Sequence, residues 1–149
     1  MLSKKTLYAF RALTFLAEQK DRSPILISKI AEDKKISLKF LENILLQLKK
    51  ASILGSKKGK GGGYYLIKEP KDVPLAKIIR MLDGPIAMLS CVSLNYYEKC
   101  ENCINEELCG LNKVMIEVRD KTLEVLENKT LYDLTSESVA LKIENNNAD

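Results

Sequence analysis

Three amphipathic stretches end in a glycine-rich, basic tip, Lys57-Lys58-Gly59-Lys60-Gly61-Gly62-Gly63, and this succession constrains the fold most. Leu7, Phe10, Leu13 and Ala17 recur at helical spacing and predict a helix over residues 4–19. Residues 20–24, Lys-Asp-Arg-Ser-Pro, make a turn. Ile27, Ile30 and Ala31 mark a short second helix over 27–34. Ser37 then stands where an N-cap is wanted for a third helix running to about Ser52, with Leu41, Ile44, Leu45 and Leu48 as its buried stripe. The tight turn between the last two helices matches a helix-turn-helix. The apolar runs on either side of the glycines predict a β-hairpin. A hairpin directly after the third helix makes residues 1–69 a winged helix, and the expected fold is mostly α.

Beyond Pro70, the punctuation changes. Pro74 is suited to the first position of a helix over Leu75–Leu82, which Asp83-Gly84-Pro85 stops. Residues 70–85 are thus a connecting helix, and residues 86–109 form a separate segment carrying every cysteine. A long helix is expected from about 108 to 127. Its stripe of Leu111, Val114, Met115, Val118, Thr122, Val125 and Leu126 suits either a core face or a dimer seam. Thr130 and Asp133 have capping-box spacing for a last short helix, so 110–140 reads as a C-terminal helical region. Residues 141–149, ending in the polar run 144–149, are expected to be disordered.

Charge is divided unevenly. Residues 1–69 hold 15 Lys/Arg against 6 Asp/Glu, while residues 70–149 hold 9 against 14. A basic first half points to an anionic partner. The glycine tip is not a nucleotide loop, because Gly61 follows Lys60 where a P-loop needs Ser or Thr, and Tyr64 replaces the third glycine of a dinucleotide fingerprint. A wing meeting phosphate fits better: Lys57, Lys58 and Lys60 supply charge, and Gly61 with its neighbours permits close backbone approach. At the start of the third helix, Ser37, Lys39, Glu42 and Asn43 have the chemistry to read base edges of double-stranded DNA. Tyr64 and Tyr65 are expected to pack within the wing.

The chain has no histidine, which excludes Ser-His-Asp triads, Cys-His dyads and His-ligated zinc. Its four cysteines, Cys91, Cys100, Cys103 and Cys109, fall within 19 residues, closer together than a stapling disulfide framework needs. They form a complete set for a [2Fe–2S] or [4Fe–4S] cluster, and equally for structural zinc. Only Cys100–Cys103 is a C-x-x-C knuckle, which tilts the reading from zinc toward the cluster. A metal-free thiol switch and plain buried thiols remain open alternatives. Glu98, Glu101, Glu106 and Glu107 are expected to raise thiol pKa values. Thioredoxin-like redox catalysis would need a βαβ setting that this pattern lacks, so no enzyme is expected. No secretory signal and no membrane-length apolar run is apparent, and a reducing cytoplasm is the expected compartment.

The stretch Ser3-Lys4-Lys5-Thr6-Leu7-Tyr8-Ala9-Phe10-Arg11-Ala12-Leu13, the helix start Ile36–Glu42 and the wing tip Gly59–Tyr64 resemble the Rrf2 family of winged-helix regulators over residues 1–135. That resemblance implies a homodimeric transcription factor with paired C-terminal helices. It implies DNA contacts from Ser37, Lys39, Glu42, Asn43, Lys58 and Lys60, and a cysteine-held iron–sulfur cluster before the long helix. The chain departs from the family pattern by carrying four cysteines rather than three. Asn112 stands where cluster-binding members have a ligating histidine, and Leu7 where nitric-oxide sensors have a carboxylate. Lys35 replaces the usual glycine of the helix-turn-helix turn.

Overall fold

The computed structural model describes residues 1–146. Helices α1 (Lys4–Ala17), α2 (Ile27–Lys34) and α3 (Leu38–Lys50) are followed by strands β1 (Leu54–Lys57) and β2 (Gly63–Leu66). Then come α4 (Leu75–Asp83), α5 (Gly110–Asn128) and α6 (Ser136–Asn146). The expected winged helix and mostly helical class are present, with the boundaries of α1 to α5 within about two residues of the sequence reading.

One core holds the first half together. Leu13 and Leu16 of α1, Ile30 of α2, and Leu41, Ile44, Leu45 and Leu48 of α3 are buried. Each such side chain contributes about 1.5–3 kcal/mol through removal from water. Ile78 and Leu82 of α4 join the same cluster, as does Leu131 from the segment between α5 and α6. The N-terminus of α1 is also tied to the end of α4. The Ser3 amide donates to Asp83 Oδ2 at 2.9 Å, the Ser3 hydroxyl donates to Oδ1, and Ser3 Oγ caps the Thr6 amide. Burial opposes ionisation of Asp83, but the Ser3 bonds prevail and hold its pKa below the ordinary value.

Both helices of the helix-turn-helix end in Schellman caps without glycine. After α2, Ile36 N donates to Ala31 O and Lys35 N to Glu32 O, with Lys35 at φ 52°. After α3, Ile53 N donates to Leu48 O and Ser52 N to Lys49 O, with Ser52 at φ 56°. Ile36 and Ile53, the residues that follow, are buried. Their burial offsets the cost of a left-handed lysine or serine, about 1–2 kcal/mol each.

The wing is a two-stranded antiparallel hairpin in which Leu54 faces Leu66 and Lys57 faces Gly63. Tyr64 exchanges two backbone bonds with Ile25, both 2.8 Å, so the chain before α2 lies on β2 as a short third strand. Gly63 has φ 144°, and a Cβ there would overlap the Ile25 carbonyl, so only glycine permits this pairing. Tyr64 packs on the core and Tyr65 covers Gly55, as expected for wing packing.

Two boundaries differ from expectation. Pro74 occupies the N-cap of α4 rather than its first turn. Residues 141–146, expected to be disordered, continue α6. Ser136 N and Oγ donate to Glu18 at 2.9 and 2.7 Å, and Lys142 reaches Asp133 at 2.9 Å, so the helix is fastened at its start and in its middle. Residues 147–149 lie outside the described residues.

Candidate nucleic-acid interface and cysteine pocket

On α3, the buried stripe leaves the opposite face open. Ser37, Lys39, Glu42 and Asn43 are all exposed there. Ser37 holds the N-cap position, yet its hydroxyl makes no capping bond and is free for another partner. Lys39, Asn43, Leu46 and Lys50 succeed one another at spacings of four, three and four, a single helix face. Leu46 is exposed on this face although sequence patterning did not single it out. Lys57, Lys58, Lys60 and Gly61 are exposed at the wing, whose first strand packs against α3. Gly61 has φ 72°, the conformation that lets the tip turn. Phe40 packs edge-on to Tyr8 at 5.6 Å, bracing α3 against α1.

The second feature lies between residues 89 and 112. One cavity of about 900 Å³ is lined by all four cysteines together with Leu89, Ile104, Leu108, Leu111 and Asn112. All four thiols are free. Among the described residues, no three Cys, Asp or Glu side chains are grouped tightly enough to hold a single metal ion. Cys109 caps α5, its sulfur accepting the Asn112 amide at 3.4 Å. The Asn112 side chain is buried, 7% exposed, and its Nδ2 donates to Cys91 Sγ at 3.4 Å. Burial first, then the neighbouring Cys109 and Cys100 and the Glu106 carboxylate, push the Cys103 pKa up. Glu106 accepts from Tyr97 Oη at 2.9 Å, and that bond raises the Tyr97 pKa. Seven residues beyond Asn112, Arg119 Nη1 donates to the Val92 carbonyl at 2.6 Å, fastening the Cys91 turn to α5 a second time. Asn112 and Arg119 were not predicted as site residues. The cap-to-third-residue spacing from Cys109 to Asn112 was the available signal.

Burial divides the two sides of α5. Its inward side is Asn112 and Leu123, both buried. Leu111, Val114, Val118 and Val125 are exposed, so the heptad-like stripe faces away from this chain's core. No helix among the described residues is long and apolar enough to cross a membrane.

The helix-turn-helix, its braced wing and the open α3 face define a winged-helix, DNA-binding transcriptional regulator. The chain belongs to the Rrf2 family: residues 2–137 match the family described as iron-dependent transcriptional regulators. It is 40% identical over 137 residues to an rrf2-like HTH-type transcriptional regulator of Rhodobacter capsulatus, covering 90% of this chain and 91% of that one. Its fold matches the structure of CymR, the global cysteine regulator of B. subtilis, with a TM-score of 0.75 at 30% identity, covering 92% and 97% of the two chains. It also matches T. potens IscR, with a TM-score of 0.70 at 28% identity, covering 90% and 85%. These relatives are transcriptional regulators rather than enzymes.

Proposed function

We propose that the chain is a homodimeric, cytoplasmic regulator that reads a pseudo-palindromic DNA operator and adjusts its affinity through an iron–sulfur cluster on Cys91, Cys100, Cys103 and Cys109. The observation that carries this reading is that all four cysteines line one cavity at the foot of α5, in a chain that also presents a basic wing and an open recognition helix. The chemistry of the donors fits such a group: four cysteines line the cavity, two of their sulfurs accept N–H hydrogen bonds, and apolar side chains line it with them. A cluster there would supply a charge that changes with redox, iron or nitric-oxide status. The protein's part is to carry that change into α5, because Cys109 is the N-cap of that helix. The exposed Leu111, Val114, Val118 and Val125 suit pairing with the same helix of a second copy. Pairing would place two α3 helices against half-sites about one DNA turn apart. Ser37, Lys39, Glu42 and Asn43 would meet base edges, with Leu46 suited to a thymine methyl, while Lys57, Lys58, Lys60 and the Gly61 backbone meet phosphate.

A second reading rests on the four free cysteines that line this cavity. Cys100 and Cys103, at C-x-x-C spacing among them, suit a metal-free thiol switch. Structural zinc on the same cysteines is the remaining form of this alternative. Metal and sulfide analysis of anaerobically purified protein separates the three. Iron with acid-labile sulfide supports the cluster, stoichiometric zinc supports a structural site, and neither supports the switch. DNA recognition is tested by selecting a duplex from a random pool and following affinity against salt. The expected result is a steep salt slope that falls by about one for each phosphate-contacting lysine removed. Binding that ignores salt, or prefers no sequence, would overturn it.

A further inference from the structure

We infer that Asn112 is a positioning residue of the cysteine pocket, holding the Cys91 and Cys109 sulfurs against α5 and tuning the reduction potential of an iron–sulfur cluster bound there. This rests on the cluster reading above.

The observation is local. Asn112 is one of only five buried polar side chains among the described residues, and it lies in the first turn of α5. Burying an amide costs free energy unless its groups are bonded, so its partners carry meaning. The donors of this residue go to sulfur twice. The backbone N–H serves Cys109, three residues back, and Nδ2 serves Cys91, twenty-one residues away in sequence. Cys91 sits in a short 3-10 turn, Ser90–Val92, whose far end is held by Arg119. Asn112 and Arg119 are two helical turns apart on one side of α5, so the turn lies along the helix like a splint. Without the Nδ2 bond, the sulfur of Cys91 would be tethered only through its backbone.

The same bond has an electronic consequence. An N–H donor draws electron density from a sulfur ligand and so favours the more negatively charged, reduced state of whatever that sulfur holds. Removing the donor should shift the reduction potential to more negative values. A residue that merely fills space would leave the potential unchanged when replaced by an isostere.

The full chain should be reconstituted anaerobically with ferrous iron and sulfide, and its visible absorption followed in a redox titration. Asn112→Leu keeps the shape of the side chain and removes its donor, while Asn112→Gln keeps an amide. The expected result is a negative shift of the midpoint in Asn112→Leu, with Asn112→Gln shifted less. Loss of iron from Asn112→Leu alone, with Asn112→Gln still loaded, supports the same role. Equal behaviour of the two variants, both unchanged from wild type or both empty, overturns this inference while the cluster reading stands. A wild-type chain that takes up no iron and sulfide overturns both.

Discussion

Lys35 shows how a single position sets the geometry of the reading head. It is held at φ 52° to close the Schellman cap that turns α2 into α3. A side chain in that conformation costs about 1–2 kcal/mol, whereas glycine loses about 0.5–1 kcal/mol in chain entropy. Lys35→Gly is therefore expected to stabilise the protein by about 0.5–1 kcal/mol. Urea unfolding reads this as a higher midpoint with unchanged slope, and a lower midpoint would show the lysine to be needed for another reason. Gly63 is the opposite case. Gly63→Ala would drive a methyl group into the Ile25 carbonyl at an unfavourable φ, and a loss of about 2 kcal/mol or more is expected in the same measurement. At the interface, Glu42→Ala should relax preference at one base pair, a discrimination of about 1–3 kcal/mol, in affinities measured across single-base operator variants.

At the scale of elements, fastenings decide which segments are ordered. Asp133 accepts from the Thr130 amide at 2.9 Å and from Lys142 at 2.9 Å, linking the end of α5 to α6. The backbone bond from Thr130 and then the Lys142 ammonium lower its pKa from the ordinary 3.8 to about 2. A carboxylate depressed in the folded state contributes stability that is complete above about pH 4 and is lost as pH falls through about 2. Asp133→Asn should therefore flatten the acid limb of stability in that window, read by thermal unfolding between pH 5 and pH 2, on the order of the usual acid range. An unchanged acid limb would contradict the assignment. This fastening also explains where sequence reading fell short. The Thr130–Asp133 spacing was legible as a cap, but the grip of Lys142 on Asp133 and of Ser136 on Glu18 spans chain distances that periodicity does not register, so residues 141–146 read as disordered. The stops of α2 and α3 were likewise written in buried Ile36 and Ile53 rather than in glycine. By contrast, the α3 stripe and the wing were plain, because period and glycine placement are local signals.

For the whole molecule, the long helix connects the cysteine turn to the winged helix. Its inner side carries Asn112 and Arg119 to the cysteine turn, and α5 packs on α4, α4 on α1, and α1 on α3. Its outer side carries the exposed stripe. Sequence alone left that stripe open between core and seam, since both demand the same spacing; only burial separates them. Val114→Glu, on the exposed side, should give a folded monomer by sedimentation equilibrium and weaken operator binding by more than about tenfold, because two half-sites are no longer held together. A dimer that survives this charge would move the seam elsewhere. The four cysteines were legible as a set from their spacing, whereas their common cavity with Asn112 required the fold.

In the proposed regulator a DNA-reading half is coupled to a cysteine-bearing half, and that coupling can be measured. Operator affinity should be measured at fixed salt for anaerobically purified protein, before and after its iron is removed by a chelator under reducing conditions. Affinity is expected to differ between the two states by more than about tenfold, a coupling of about 1.4 kcal/mol or more. Equal affinity in the two states would contradict the account.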